Sequence, residues 1–147
     1  MTRGRVLVIG LLLVTLVFGV ALFWFQNFAY YERQSGVGAL RVAGEAVPIS
    51  GYEGIDAATS PLKLRGCFRA DPSSFAAATP APEATPLVAP YWFSCFDAGA
   101  ITEDLAAGRA AAYALDEAGV AGFEAIVAIY PDGRGYLWRQ LGPEFAG

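Results

Sequence analysis

The sequence lacks histidine entirely and contains only two cysteines among its 147 residues. Structural zinc sites take most of their four ligands from these two residue types, so this composition argues against a zinc site. The C-x-x-C-H motif of haem attachment, the C-x-x-C redox motif, the P-loop and the G-x-S-x-G nucleophile motif are also absent. We therefore expect no metal, no cofactor and no enzymatic activity.

Positive charge is scarce in most of the chain. From about Tyr30 to Gly147 the sequence has 8 basic and 14 acidic residues, a net charge of −6. Nucleic-acid binding depends on cationic contacts with phosphate, and polybasic membrane-binding surfaces depend on clustered lysine and arginine. The composition argues against both kinds of partner.

One segment lacks charge altogether. Val6 to Phe25 reads "VLVIGLLLVTLVFGVALFWF", and as a helix these 20 residues would be about 30 Å long, the thickness of a bilayer's hydrocarbon core. The alternative is a cleaved secretory signal, whose apolar region is shorter and ends in small residues. Here the bulky "QNFAYYER" follows. The pattern predicts a retained transmembrane anchor in the lipid bilayer.

The flanks of this segment predict its orientation. Arg3 and Arg5 precede it, whereas Glu32 and Arg33 follow it and nearly cancel. Because positive residues remain in the cytoplasm, the C-terminal part should be exported. Aromatic residues at the outer end are expected to lie at the membrane interface. They are Trp24, Phe25, Phe28, Tyr30 and Tyr31. The predicted division is an anchor over 1–29 and an exported domain over 30–147.

The two cysteines, Cys67 in "RGCFRAD" and Cys95 in "FSCFDAG", both lie in this exported part. Disulfides persist in oxidising compartments, so we expect Cys67 and Cys95 to pair with each other. The bond would close a loop of about 29 residues and contribute roughly 3–4 kcal/mol. The enclosed stretch contains a Pro-rich insertion near 72–92, which predicts irregular chain that needs such restraint.

A reactive thiol is the alternative to the disulfide. In a strand over Leu62–Arg69, Cys67 would share a face with Lys63, Arg65 and Arg69, whose charges would stabilise a thiolate. The same three cations are a candidate contact for an anion or an acidic partner. A solvated strand face would also explain them.

The remaining pattern predicts an α+β domain with a mainly antiparallel sheet and one short helix. Alternation and β-branched or aromatic content favour several strands, and Gly and Pro content favours a loop in "SGYEGIDAATSP". The predicted strands are Leu40–Ile49 (weak, with a break at Gly44), Leu62–Arg69, Arg109–Leu115, Phe123–Tyr130 and Gly135–Leu141.

Two local signals are stronger than the rest. Asp97 is a natural N-cap, Phe96 and Ile101 form a hydrophobic staple, and Gly108 suits the helix end. "PDGRG" predicts a three-residue hairpin loop in which Gly133 supplies the positive φ.

Two residues are candidate partner contacts. In "TPLVAPYWFSCF" (Thr85–Phe96), Pro90 favours extended chain, which would place Trp92 in the core and Tyr91 on the opposite, partner-facing side. Arg134 lies at the hairpin tip, and nothing local explains it. The apolar stretch as a whole is either core or an exposed docking patch.

Four blocks in order resemble a family of small membrane-anchored proteins from the Rhodobacterales. The blocks are "AYYE", "GIDAATSPLKLRGCF", "WFSCFDAGAI" and "YPDGRGYLW". That family has no known function, so the resemblance implies no catalytic residues. Its members are sometimes labelled histidine kinase, which a chain without histidine or a nucleotide-binding motif contradicts. The resemblance implies a single-pass protein of the bacterial inner membrane with a cytoplasmic N-terminus and a periplasmic domain.

The expected function is therefore non-enzymatic. The anchor, the missing catalytic motifs and the aromatic Pro-rich stretch favour an accessory or assembly component that docks on a larger inner-membrane complex, such as a respiratory or photosynthetic one. The alternative is a periplasmic ligand-binding or sensory module that uses the cationic strand face.

Overall fold

The first helix, α1 (Arg3–Asn27), contains the whole uncharged segment. The computed structural model describes residues 2–116 and 118–145. Thr2 caps α1 by accepting a hydrogen bond from the backbone N–H of Arg5. None of its side chains is buried, and its mean hydropathy reaches 3.0. By length and composition α1 is a candidate membrane anchor, and it forms a compact unit, Met1–Tyr30, separate from Tyr31–Gly147.

The second unit is built on antiparallel strands. In its described residues a seven-stranded sheet has the order β1-β4-β5-β9-β8-β7-β6, and β2 and β3 form a separate hairpin. The strands are Tyr31–Ser35 (β1), Ala39–Val42 (β2), Glu45–Pro48 (β3), Ser50–Ala57 (β4), Arg65–Arg69 (β5), Thr79–Pro80 (β6), Ala111–Ala114 (β7), Phe123–Ile129 (β8) and Arg134–Leu141 (β9). With the short helix α2 (Ala98–Ala106), this confirms the α+β prediction.

The sheet carries an apolar layer on each face. On one face, here called the hairpin side, the β2–β3 hairpin and a 3₁₀ helix at Pro72–Phe75 supply the covering residues. On the other, the disulfide side, α2 and the chain before it do so. Alternation along β8 and β9 sends Val127 and Leu137 to the hairpin side and Ile126 and Trp138 to the disulfide side.

The two strongest local predictions are confirmed. Asp97 caps α2 by accepting a hydrogen bond from the backbone N–H of Ala100 at 3.0 Å, and Gly108 follows the helix with φ +74°. The β8–β9 turn closes through a bond from the N–H of Gly133 to the carbonyl of Tyr130 at 3.0 Å, and Gly133 has φ +93°.

The loop predicted for "SGYEGIDAATSP" is wrong, because Ser50–Ala57 forms strand β4. One glycine of the predicted loop, Gly54, and Gly66 of the neighbouring strand make room for an aromatic ring. A Cβ added at Gly54 would lie 2.6 Å from the hydroxyl oxygen of Tyr52, and one at Gly66 would lie 2.8 Å from its ring. Glycine inside a strand here marks close packing rather than a turn.

The strand predicted over Leu62–Arg69 begins later than expected. Pro61–Lys63 is a 3₁₀ helix, which Ser60 caps by accepting from the backbone N–H of Leu62, so β5 starts at Arg65. The weak strand predicted over Leu40–Ile49 is a hairpin. Its break is a turn in which Ala43 and Gly44 have φ +50° and +82°.

The start of the sheet was missed by sequence reasoning. Tyr31, predicted to lie at the membrane interface, is the first residue of β1 and is opposite Ala57 of β4. The chain near Pro90 is also different from expectation. The N–H of Phe93 donates to the carbonyl of Pro90 at 2.9 Å, so a turn replaces the extended chain.

Candidate functional site

The Pro-rich loop, residues 81–92, is held by a covalent bond just beyond its end. Cys67 of β5 and Cys95 are joined, with an Sγ–Sγ distance of 2.13 Å and a Cα–Cα distance of 6.4 Å. The predicted pairing is present, and neither thiol is free. Because β5 is one of the middle strands, the bond fixes the segment before α2 to the centre of the sheet.

A buried arginine holds the middle of the loop. Arg65 is 5% exposed, and its guanidinium donates to the backbone carbonyls of Leu87 at 2.9 Å and Val88 at 3.1 Å. It also donates to the carbonyls of Leu62 and Leu64, each at 2.6 Å. Burial lowers the pKa of Arg65 to about 10, so the side chain is still a cation at neutral pH. A charged donor satisfies four acceptors that irregular chain leaves without partners.

A buried glutamine holds the start of the loop. Gln140 of β9 is 9% exposed. Its Oε1 accepts from the backbone N–H of Thr85 at 2.8 Å and from the indole N–H of Trp138 at 3.1 Å. Its Nε2 donates to the carbonyl of Glu83 at 3.1 Å. The loop is therefore fixed to strands β5 and β9 by side chains that the sheet positions.

The held loop leaves two apolar side chains at the surface. Val88 is 83% exposed and Tyr91 is 67% exposed, although they are close in sequence to the residues that anchor the loop. Trp92 is half-buried and packs against the disulfide side of the core. The predicted separation of Tyr91 and Trp92 is present, but a turn rather than alternation along extended chain produces it.

Beside the loop lies a group of rings and cations, which we call the cationic aromatic face: Tyr31, Arg33, Lys63 and Trp92. The rings of Tyr31 and Trp92 meet edge to face with centroids 5.6 Å apart. The guanidinium carbon of Arg33 is 4.9 Å from the Trp92 ring centroid, and Nζ of Lys63 is 5.1 Å from that of Tyr31. Burial raises the pKa of Tyr31, while the nearby charge of Arg65 opposes this shift, so the phenol is neutral.

Sequence reasoning missed Arg33 because it counted Arg33 and Glu32 as cancelling charges. On β1 they point to opposite faces, since Tyr31 and Arg33 alternate with Glu32. The period of two in "YERQS" was the signal that would have separated them. Gln140, inside a predicted strand, carried no such signal, because its partners lie on a distant loop.

The structure does not bring the three predicted anion contacts together. Lys63 lies on the 3₁₀ helix over Tyr31. The donors of Arg65 are turned towards carbonyl groups in the interior. Arg69 is exposed at the end of β5, where its guanidinium donates to the backbone carbonyl of Asp132 at 3.5 Å. A shared anion site on this strand is therefore not supported.

Arg134 has the local structural role that sequence reasoning did not find. Its Nε lies 2.8 Å from a carboxylate oxygen of Asp132, and its guanidinium lies over the Tyr130 ring at 4.2 Å. Tyr130 donates in turn to Asp104 at 2.7 Å, which Arg109 also contacts at 2.7 Å.

These contacts shift the pKa values of the cluster. The hydrogen bond from Tyr130, and then that from Arg109, hold the pKa of Asp104 below its usual range. Burial and the Asp104 carboxylate raise the pKa of Tyr130. The cluster links the end of α2 to the β8–β9 turn.

A cavity of about 300 Å³ adjoins the Pro-rich loop. Apolar side chains form much of its wall, and two carboxylates also line it. The lining includes Leu62, Leu87, Leu141, Pro143, Glu83 and Glu124. The carboxylates disfavour an anion, so the cavity suits a small apolar or cationic group. Across residues 2–116 and 118–145, no cluster of three or more His, Cys, Asp or Glu side chains is arranged to hold a metal ion.

The comparisons with known proteins place the second unit in a family. The model of a family of unknown function, DUF6446, matches residues 38–145, which include the disulfide, the loop and strands β2 to β9. No curated protein and no solved structure matches the chain. The chain therefore belongs to the DUF6446 family of unknown function.

Proposed function

We propose that this protein is a non-enzymatic, membrane-anchored accessory or assembly component that presents the Pro-rich loop to a larger inner-membrane complex. The observation that carries the proposal is the combination of a firmly held loop with exposed apolar side chains. Val88 and Tyr91 are exposed on a segment that a disulfide, Arg65 and Gln140 all hold in place.

The way the loop is held favours display over stability. Burying a charged guanidinium carries a desolvation cost, so a buried charge is by itself weak evidence of a role in stability. Here the charge holds two carbonyls of the loop, those of Leu87 and Val88, together with those of Leu62 and Leu64 next to β5. A binding segment that is ordered in advance loses less entropy when its partner arrives. Exposed aromatic side chains are also the residues that dominate interface energies.

The proposed location is the bacterial inner membrane of an alphaproteobacterium, with a cytoplasmic N-terminus and the folded unit in the periplasm. Arg3 and Arg5, in the first turn of α1 and before its uncharged segment, support this orientation, and the Cys67–Cys95 pair supports an oxidising compartment. A reporter active only in the periplasm, fused after Gly147, should be active. Activity from a cytoplasm-only reporter at the same point would overturn the orientation.

A ligand-binding or sensory module is the second candidate, and the cavity beside the loop favours it. Leu62, Leu87 and Leu141 give that cavity an apolar wall. In this case the ligand would be small and apolar or cationic, rather than the anion expected from the sequence. A lone monomer that purifies with such a molecule would favour this candidate.

Co-purification from mild detergent separates the two. The full chain should come down with a stoichiometric membrane complex, and Tyr91→Ala should weaken that association. Phe145→Ala is the matched control, because Phe145 is also an exposed aromatic residue, at 62%, but lies outside the loop. Loss of the complex in both variants, or in neither, would count against the loop as the docking surface.

A further inference from the structure

We propose that the cationic aromatic face rests in the headgroup layer of the membrane, where Arg33 and Lys63 bind the phosphates of anionic phospholipids. The face combines two neighbouring rings with two cations held over them. Tryptophan and tyrosine have an apolar body and a polar edge, and they concentrate at the headgroup level of bilayers. The proposal rests on α1 being a retained anchor, and it does not depend on a protein partner.

The length of the connecting chain keeps this face near the bilayer. α1 ends at Asn27, and β1 begins at Tyr31, four residues later. Fully extended, four residues span at most about 14 Å. Tyr31 and Arg33 are therefore tethered within a short distance of the point where the helix leaves the hydrocarbon core.

The charges of the face fit phosphate. The ion pairs found among the described residues are Arg109–Asp104, Arg134–Asp132 and Arg139–Asp56, so no described carboxylate pairs with Arg33 or Lys63. The ammonium group of Lys63 donates a hydrogen bond to the hydroxyl oxygen of Thr59 at 3.3 Å, and this partner carries no charge. A guanidinium over an aromatic ring keeps donors available for bidentate contact with a phosphate group.

The excess of acidic residues in the rest of the second unit determines which side can approach an anionic membrane. With a net charge of −6 from Tyr30 onward, most of the surface is repelled by an anionic membrane. The side that carries the two cations is then the one that approaches the membrane. The average charge argued against a polybasic surface, and this face is not one, because it relies on two rings as much as on two charges.

Fluorescence quenching by lipid tests the proposal on the full chain. The protein carries Trp24→Phe, so that its emission comes from Trp92 and Trp138. It is reconstituted in vesicles of equimolar phosphatidylglycerol and phosphatidylcholine, with bromine atoms on the acyl chains close to the headgroup. Trp138 is 0% exposed, so quenching should come from Trp92, and an added Trp92→Phe substitution should abolish it.

Removal of the two charges is the decisive variant. We expect Arg33→Gln with Lys63→Gln to lose most of the quenching. Arg41→Gln with Arg69→Gln removes the same charge from exposed positions outside the face and should retain it. Quenching should also fall when ionic strength rises from about 0.1 to 1 M, because the screening length drops from roughly 10 to 3 Å.

Several outcomes would overturn the proposal. The proposal is wrong if Trp92 is unquenched in the mixed vesicles, if it is equally quenched in pure phosphatidylcholine, or if its quenching is unaffected by the loss of Arg33 and Lys63. Release of the quenching by inorganic phosphate at constant ionic strength would show a site for free phosphate instead. If the double variant loses only a co-purifying protein complex, the face is a protein interface. Because the vesicles contain no other protein, failure of the accessory role would leave the quenching unchanged.

Discussion

The two sides of the sheet are held by different kinds of interaction. On the hairpin side, β2 and β3 pair with each other and bury apolar side chains such as Val42 and Val47. On the disulfide side, much of the covering chain is the irregular Pro-rich loop, fixed by a covalent bond and by buried polar side chains. The strands of the hairpin pair with each other, whereas the backbone groups of the loop hydrogen-bond to side chains of β5 and β9.

This difference explains where the buried polar residues lie. In the described part of the chain, the buried polar or charged residues are Arg65 and Gln140, and both hydrogen-bond to the Pro-rich loop. Regular secondary structure needs no such help, because its N–H and carbonyl groups pair within the ladder. Buried polar groups thus mark the side of the sheet that holds a particular loop shape, whereas the hairpin side has a mainly apolar core with the half-buried Arg139–Asp56 ion pair.

The largest effect should come from the hairpin side. Phe75 is 0% exposed and stacks on Tyr113 at 5.8 Å, so Phe75→Ala should lower the free energy of unfolding by about 3–5 kcal/mol. Chemical denaturation of the full chain in detergent measures this loss. Phe145→Ala, at an exposed position, should change it little. Equal midpoints for the two variants would contradict the assignment of Phe75 to the core.

Removal of the disulfide should cost nearly as much. Cys67→Ser with Cys95→Ser releases a cross-link between residues 28 apart, worth roughly 3–4 kcal/mol on the chain-entropy model. Unlike Phe75→Ala, it should also increase proteolysis within the Pro-rich loop. Thiol labelling of denatured, unreduced wild-type protein should find neither cysteine free. Two labelled thiols in protein isolated under oxidising conditions would rule out the Cys67–Cys95 disulfide.

The buried arginine should matter more than its exposed neighbour on the same strand. Arg65→Met leaves the carbonyls of Leu87 and Val88 without this donor. We expect the free energy of unfolding to fall by about 2–3 kcal/mol, a net value that includes the gain from no longer burying a charge. Arg69→Met, at an exposed site of β5, is the control and should be nearly neutral. Similar losses in both variants would mean that Arg65 does not hold the loop.

Trp92 should contribute less than a core tryptophan. It is half-buried, so Trp92→Ala should cost about 1–2 kcal/mol, below the range for complete truncation of a buried aromatic residue. Tyr91→Ala should leave thermal unfolding unchanged, because its side chain is 67% exposed. A decrease in the free energy of unfolding as large as that for Phe75→Ala would show that Trp92 is part of the buried core.

The smallest expected effect is a change in pH dependence at the β8–β9 turn. The pKa of Asp104 is lowered, so its contribution is present above its unfolded value of about 3.9 and is lost as pH falls through the folded value. The pKa of Tyr130 is raised, so its contribution is present below about 10 and is lost as pH rises further. Tyr130→Phe should remove the alkaline loss and reduce the acid one, as measured by melting temperature against pH. Arg109 would still support Asp104. An unchanged profile would show that the hydrogen bond does not contribute.

Elements with local signals were predictable from the sequence. The cap at Asp97, the glycine at 108 and the turn at Gly133 each depend on neighbours within a few residues, and all three are present. The cysteine pairing followed from counting cysteines and from the inferred compartment. These inferences required no knowledge of how the strands are ordered.

What the sequence could not reveal depends on distant contacts. Gly54 of β4 resembled a loop residue because the ring of Tyr52 that it accommodates, together with Gly66 of β5, becomes visible only when the strands pair. Arg65 resembled a surface cation because its partners in the Pro-rich loop, the carbonyls of Leu87 and Val88, lie more than 20 residues away. The strand β1 was missed because its partner, β4, was itself assigned to a loop.

The position of β9 has a consequence for how the fold is completed during synthesis. β9 lies between β5 and β8, although it is the last strand of the described chain. Without residues 134–141, no strand would pair the β1-β4-β5 part of the sheet with the β8-β7-β6 part. A chain interrupted before this point would therefore lack the middle of its sheet rather than an edge. Its two exposed ladders would be templates for pairing with other chains, so the nascent domain should be most prone to aggregation just before its final strand arrives.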